Sequence, residues 1–358
     1  MNTAIQQLTE QLTALYSTYG YESYTMSKFE EYELYLRNKD FLISDRILTF
    51  TDTDGKLMAL KPDVTLSIIK NTRELAGETR KMYYRENVYR PGNNGFREIM
   101  QVGLECMGQV DDYCILEVLL LAVKSLRTIS PRCVLDLSHM GLLARLLDRC
   151  GLDADLQRQV TQAISAKNAH TVRALCQSCG APWEELVELA QLSGRMDAVL
   201  PVLKRLFPEA PELLQLQQLM AALEKAGCAD CINIDFSVVN DMVYYNGIVF
   251  RGFVEGVPGG VLSGGQYDAL MEKMNRRAKA IGFAIYPDLL ERLAQQEQRE
   301  KTDAVLLYGA DSDLTAVTAA VEELVGRGMT VKVLPAGARV ETSAQIYRME
   351  GNEVKGNA

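Results

Sequence analysis

The chain has 358 residues, 47% of them hydrophobic and 24% charged, enough to bury a sizeable core in two or three domains. Its net charge is -9 and its sequence pI about 5.1, so composition gives no electrostatic footprint for nucleic acid. Met1 to Glu10 has no basic region followed by an apolar run, and no stretch nears the ~18 apolar residues of a membrane span, so a cytoplasmic, membrane-free protein is expected.

Ile5, Leu8, Leu12, Leu15, Tyr16 and Tyr19 recur at helical spacing and Gly20 follows as a stop, which predicts an opening amphipathic helix. Ile47 to Phe50 and Leu57 to Leu60 flank Asp54-Gly55, a hairpin turn signal. Lys81 to Tyr89 and Glu98 to Met107 read as a second antiparallel pair around a Pro91 to Gly95 loop, and Leu116 to Leu126 as an apolar helix. From Ser138 to Gly227 the pattern is almost wholly helical, broken at Gly151, Gly180, Gly194 and Pro208. This reads as an inserted helical subdomain. Strands are expected again at Cys231 to Phe236, Tyr244 to Val254 and Ala280 to Ile285. Between them Pro258-Gly259-Gly260 and Ser263-Gly264-Gly265 read as a flexible run. Pro287 is expected to open a helix to about Gln298, and Gln295 to Lys301 to be a linker. One β-α-β unit follows from Ala304 to Leu334, and then a polar tail. The fold class implied is α+β. The domains expected are a core over 1–137 and 230–298, a helical insertion over 138–229 and a small α/β unit over 302–358.

Cys176/Cys179 and Cys228/Cys231 could suggest zinc, but tens of residues separate the pairs where a compact ribbon has ~15–20, so no metal is expected. His139 and His170 are the only histidines. Both lie outside the segments below, and each reads as a solvated or satisfied helical residue rather than a catalyst.

Four segments place polar residues around glycine or proline as a pocket floor on a sheet would. They are Leu60 to Thr65, Tyr89-Arg90 with Phe96-Arg97, Gln101 to Glu105, and Tyr244 to Gly247. Gln101, Gly103 and Glu105 fall on one face of a strand, with the glycine leaving room for a ligand. Carboxylates at Asp63 and Glu105, an amide at Gln101, hydroxyls at Thr65 and Tyr244 and a guanidinium at Arg90 suit a small molecule with an ammonium group and a second polar end, such as an amino acid. Taken one at a time, each of these residues reads more readily as a satisfied edge-strand polar group or a rim ion pair than as a functional one.

In order and spacing these segments resemble the class II aminoacyl-tRNA synthetases, and histidyl-tRNA synthetase in particular, from about Gly20 to about Leu290. Leu60 to Thr65 is similar to that family's leucine-arginine-proline-glutamate-glycine-threonine segment, read as a strand. Tyr89-Arg90 through Glu105 resembles motif 2 with the histidine-binding glutamine and glutamate. Val239 to Val249 resembles the second histidine signature with its paired tyrosines, Tyr244 and Tyr245, and Gly264 to Asp268 with Gly282 to Ala284 resembles the approach to motif 3. The resemblance implies a core of antiparallel sheet flanked by helices. It also implies that Asp63, Thr65 and Gln101 hold an α-amino group, that Glu105 and Tyr244 hold imidazole with Tyr245 alongside, and that Arg90 is the retained motif 2 arginine.

The departures point away from catalysis. Asn240 stands where the family has the arginine bridging carboxylate and α-phosphate, and Leu289 where motif 3 has its arginine, with Glu291-Arg292 nearby in sequence. Neither asparagine nor leucine supplies a fixed charged fork, and losing one preorganised donor to a developing charge typically costs ~3–4 kcal/mol. Met26 occupies the usual motif 1 proline position, the Arg90 to Arg97 loop is short, and the C-terminal unit is about half an anticodon-binding domain. Such a chain resembles the regulatory subunits of ATP phosphoribosyltransferase, which are built on this core. That resemblance implies histidine as ligand, no cofactor, no catalytic residue, dimerisation through the core, a short-form catalytic subunit as partner and no role with tRNA. The alternative it leaves is a divergent histidine-tRNA ligase or amino-acid-activating paralogue.

Overall fold

The computed structural model describes all residues except 1–2, 43, 45, 73–76, 93–94, 240–244, 291–301, 339, 341–343, 351–352 and 357–358. They form two compact units, one up to Leu289 and one from Leu290 onward.

The first unit opens with helix α1 (Thr3–Thr18), which buries Ile5, Leu12 and Tyr16 and stops at Gly20, whose φ of 78° suits glycine. Strands β1 (Glu22–Ser23) and β2 (Phe29–Glu31), helix α2 (Tyr32–Arg37), and strands β3 (Thr49–Thr51) and β4 (Leu57–Leu60) follow, with β4 central in a three-stranded sheet. Gly55 makes the expected β3–β4 turn at φ 81°. Helix α3 (Val64–Asn71) comes next, then strands β5 (Thr79–Gly92) and β6 (Gly95–Gly108) and helix α4 (Asp112–Ile129). The β5–β6 ladder runs unbroken from Thr79↔Gly108 to Gly92↔Gly95, so the expected loop shrinks to residues 93–94, which lie outside the described residues.

Strand β7 (Cys133–His139), absent from the sequence expectation, precedes a helical segment: α5 (Met140–Arg149), α6 (Ala154–Ser165), α7 (Ala169–Cys179), α8 (Glu184–Gln191), strand β8 (Ser193–Gly194), α9 (Met196–Leu206) and α10 (Pro211–Lys225). Helix α7 ends at Gly180 with φ 73°, the left-handed cap the sequence suggests. The chain returns through β9 (Ile232–Asp235), β10 (Ile248–Val254), β11 (Leu262–Gln266), α11 (Asp268–Lys273) and β12 (Lys279–Ile285). Ser263-Gly264-Gly265 is therefore the middle of a buried strand, not a flexible run. Pro287 opens a 3-10 turn to Leu290; the rest of the expected helix to Gln298, and the linker to Lys301, lie outside the described residues apart from that turn.

The large sheet runs β1-β5-β6-β12-β11-β10-β7-β9-β8, mostly antiparallel. One face is apolar: Leu104, Ile281, Phe283 and Phe250 lie beneath α1 and α4, with the Tyr16 ring 5.9 Å from Phe283 and Leu126 against Gly252. Alternation puts Gln101, Gly103 and Glu105 on the other face, in line with Tyr84, Gly282 and Gly265 on neighbouring strands. There Met82, Tyr84 and Val88 pack with Val64, Leu66, Ile68 and Tyr267, so α3 and α11 cover part of this second face.

The second unit pairs β13 (Ala304–Tyr308) with β14 (Val331–Pro335) across helix α12 (Leu314–Gly326), the expected parallel β-α-β. The tail is not featureless: β15 (Gln345–Glu350) joins β13 in parallel and β16 (Glu353–Gly356) closes a four-stranded sheet. Its sequence lacks a long apolar run because Gln345, Arg348, Glu350, Glu353 and Lys355 interrupt the apolar residues.

Candidate functional site

Three glycines on adjacent strands build the floor, but the space above them is used by the protein itself. A Cβ on Gly282 would lie 1.8 Å from Glu105 Oε2, one on Gly103 2.6 Å from Tyr84 Oη and one on Gly265 2.6 Å from the Tyr245 ring. The expectation that Gly103 leaves room for a ligand is thus corrected: the glycines let Glu105, Tyr84 and Tyr245 lie across the sheet.

Glu105 is the centre of this arrangement. It is 2% exposed, its Oε1 accepts from the Thr65 hydroxyl at 3.1 Å and its Oε2 from Tyr267 Oη at 2.6 Å. Burial pushes its carboxyl up to about 8, with Asp63 adding to the rise and the two hydroxyl donors opposing it. The buried phenols of Tyr84 and Tyr245 are likewise raised well above the ordinary value by desolvation. They lie within electrostatic reach of each other and of Glu105, Asp63 and Tyr286.

The segment expected as a strand from Leu60 to Thr65 breaks after Leu60. Asp63 takes an extended backbone (φ -147°, ψ 140°) and its Oδ1 accepts from the Leu66 amide at 2.9 Å, capping α3. An Asp two residues before Thr-Leu-Ser-Ile is a capping signal that competes with strand formation. The consequence is local order: Thr65 rides on the first helical turn and reaches Glu105. Arg90 reaches back to the same segment, donating from Nε to the Pro62 carbonyl at 2.8 Å and facing Asp63 Oδ2 at 3.8 Å. The Asp63 carboxyl is raised by burial, against the lowering pull of Arg90 and of two backbone amides.

Gln101, 3% exposed, stands opposite Glu86 in the β5–β6 register. Asp63, Thr65, Arg90, Gln101, Glu105 and Tyr245 are therefore gathered on one face of one sheet and the helix end above it. Tyr244, Asn240 and Arg292 lie outside the described residues. Leu289 is 46% exposed in the short turn after β12. Close by, Tyr286 Oη lies 3.0 Å from Ser263 Oγ, and Asp288 accepts the Met100 amide at 2.9 Å, tying that turn to β6.

Sequence reasoning missed Tyr84, Tyr267 and the Lys61–Glu86 pair as members of this cluster. Tyr267 had a signal in the glycine pair two residues before it; Tyr84 had none beyond strand alternation. His139 lies elsewhere: buried at the end of β7, it accepts the Gly141 amide at Nδ1 and meets Gln215 at 3.0 Å, a satisfied residue at a helix start. A separate cleft of about 890 Å³ at the opposite end of β6, lined by Gly108, Asp111, Arg276, Arg277 and Lys279, shares no residue with the cluster. Among the described residues no group of three or more His, Cys, Asp or Glu is placed to hold a metal ion, and no helix is long and apolar enough to cross a membrane.

The arrangement brings the side-chain oxygens of Asp63, Thr65 and Gln101 onto the same face as the buried Glu105 carboxyl and the Tyr245 phenol.

The sequence model for histidyl-tRNA synthetase matches residues 2–290. An ATP phosphoribosyltransferase regulatory subunit of Desulfitobacterium hafniense (strain Y51) is 28% identical over 323 residues, covering 87% of this chain and 82% of that protein. Among solved structures, an ATP phosphoribosyltransferase regulatory subunit/histidyl-tRNA synthetase from Bacillus halodurans superposes with a TM-score of 0.72 at 22% identity, covering 94% of this chain and 90% of that one. A chain of an ATP phosphoribosyl transferase complex from Thermotoga maritima superposes with a TM-score of 0.64 at 18% identity, covering 78% and 96%. The fold is that of the class II synthetase core, an α+β architecture on one large sheet.

Proposed function

The chain belongs to the histidyl-tRNA synthetase family, and from that premise we propose that it is a non-catalytic regulatory subunit of ATP phosphoribosyltransferase, acting at the first step of histidine biosynthesis. In this reading it binds histidine over Glu105, dimerises through its core and joins a short-form catalytic subunit in the cytoplasm, without a cofactor or tRNA. The ammonium group sits toward Asp63, Thr65 and Gln101, the imidazole toward Glu105 and the Tyr244-Tyr245 pair, with Arg90 holding the Pro62-Asp63 segment. Feedback then requires that histidine bind one assembly state more tightly than the other. The similarity to named regulatory subunits over most of their length supports this reading.

One observation supports the non-catalytic part: an exposed leucine, Leu289, stands where the family resemblance puts the motif 3 arginine. The retained Arg90 favours the second reading, a histidine-tRNA ligase. Histidine-dependent ATP–pyrophosphate exchange separates the two. The proposal expects none above background; robust exchange overturns it.

A further inference from the structure

The helical segment from α5 to α10 leaves the large sheet after β7 and returns to it at β9, and the two connections bring three cysteines together. Strands β7 and β9 run in parallel with Leu135 opposite Ile232. Cys133, two residues before Leu135, and Cys231, directly before Ile232, therefore stand side by side at the starts of neighbouring strands. Such strands lie about 4.8 Å apart, inside the about 4.4–6.8 Å that a disulfide spans between Cα atoms. The two thiols are hydrogen-bonded to each other, and both are half-buried. Arg127, on α4, reaches the same place: its Nη1 lies 3.8 Å from Sγ of the buried Cys228, and its Nη2 donates to the Gly227 carbonyl at 2.9 Å and pairs with Asp230. Burial raises both thiols, Cys231 to about 12. The hydrogen bond between them favours the Cys133 thiolate at the expense of Cys231, while the Arg127 guanidinium lowers both, so Cys133 is the more easily ionised of the two.

We propose that Cys133 and Cys231 are a disulfide-forming pair, oxidised by a low-molecular-weight disulfide such as oxidised glutathione. The Cys133 thiolate attacks one sulfur of the reagent, whose S–S bond breaks to release one thiolate and leave a mixed disulfide on Cys133. The Cys231 thiolate then attacks the Cys133 sulfur, forming the Cys133–Cys231 bond and expelling the second thiolate. The two cysteine protons end on the two departing thiolates, and the electron pair lost by the cysteines is gained by the reagent. The covalent loop that results runs from 133 to 231 and contains every helix from α5 to α10, so the bond is a staple at the neck of that segment. In a reducing compartment the pair stays as thiols, which makes the staple conditional on oxidation. Cys106 and Cys114 also touch, but both are buried and out of the reagent's reach. This chemistry does not depend on what the pocket binds.

Peptide mass mapping without reduction tests it, on the folded full chain incubated with oxidised glutathione. The chain carries Cys179→Ser, which removes the one exposed thiol of the eight. The expected product is a Cys133–Cys231 crosslink that dithiothreitol reverses, with the thermal midpoint raised by about 5 °C in the crosslinked chain. Adding Cys231→Ser should leave glutathione attached at Cys133, because the resolving thiol is gone, whereas adding Cys133→Ser should leave Cys231 unmodified. Should a serine variant not fold, Cys231→Ala and Cys133→Ala give the same comparison. No crosslink at any glutathione concentration, or a crosslink joining any other pair, overturns the proposal. Glutathione on Cys231 in the Cys133→Ser chain overturns the order of attack, and an unchanged midpoint in the crosslinked chain overturns the staple.

Discussion

The Thr65 hydroxyl donates to Glu105 Oε1 at 3.1 Å, joining the first turn of α3 to the middle of β6 across forty residues of sequence. That bond exists because Asp63 caps the helix where a strand was expected, and it makes helix capping and pocket chemistry one event. Thr65→Val keeps the shape and removes the donor. We expect histidine affinity to drop by about 1–2 kcal/mol, read by calorimetry, with the thermal midpoint changing little. An unchanged affinity would separate Thr65 from the site.

Asp63 carries two jobs that substitution can divide. Asparagine also caps helices, so Asp63→Asn should keep the melting temperature near that of the parent while losing the charge offered to an ammonium. Asp63→Ala should lose both, with about 0.5–2 kcal/mol of stability gone along with the cap. Denaturation and histidine titration on the two variants give the comparison; equal stabilities would show that the cap contributes nothing.

Burial pushes the Glu105 carboxyl up to about 8, from an ordinary 4.5. The native state therefore keeps a proton that the unfolded chain has already lost between those values. The associated stability is whole below about 4.5 and is lost as pH rises through about 8, with a slope of at most about 1.4 kcal/mol per pH unit from this one group. Glu105→Gln should flatten the pH–stability curve in that window. Parallel curves for parent and variant would mean that Glu105 is ionised in the folded protein.

Much of this was legible from local chemistry. Asp54-Gly55 predicts its hairpin because a turn with positive φ is decided by two residues, and the alternation from Gln101 to Glu105 predicts their shared face because pleating is a property of any strand. What stayed hidden was set by distant partners. Ser263-Gly264-Gly265 reads as flexible until Gly264 is seen against Phe250 and Phe283 and Gly265 under Tyr245. Strand β7 escaped because Asp136 and Ser138 fall on the polar face of the sheet, leaving its apolar run too short to stand out before a long helical stretch. Glu86 had no signal at all, since its partners Lys61 and Met26 are brought to it only by the three-stranded sheet and the β1–β5 pairing.

Gly282 tests the floor. A Cβ there would lie 1.8 Å from Glu105 Oε2 and 2.4 Å from the Leu104 carbonyl, one of them backbone. Gly282→Ala should lose histidine binding and destabilise the fold by about 1–3 kcal/mol, as overpacking does. Retained binding with parental stability would show that Glu105 has another place to go.

The central claim is regulation without activation, and reconstitution tests it most directly. The full chain is titrated into a short-form ATP phosphoribosyltransferase catalytic subunit, and phosphoribosyl transfer to ATP is followed with and without histidine. The account predicts that activity rises with added chain to a stoichiometric plateau and that histidine lowers it, with Glu105→Gln blunting the inhibition. Activity of the catalytic subunit that is the same with and without this chain, at any histidine concentration, would contradict it.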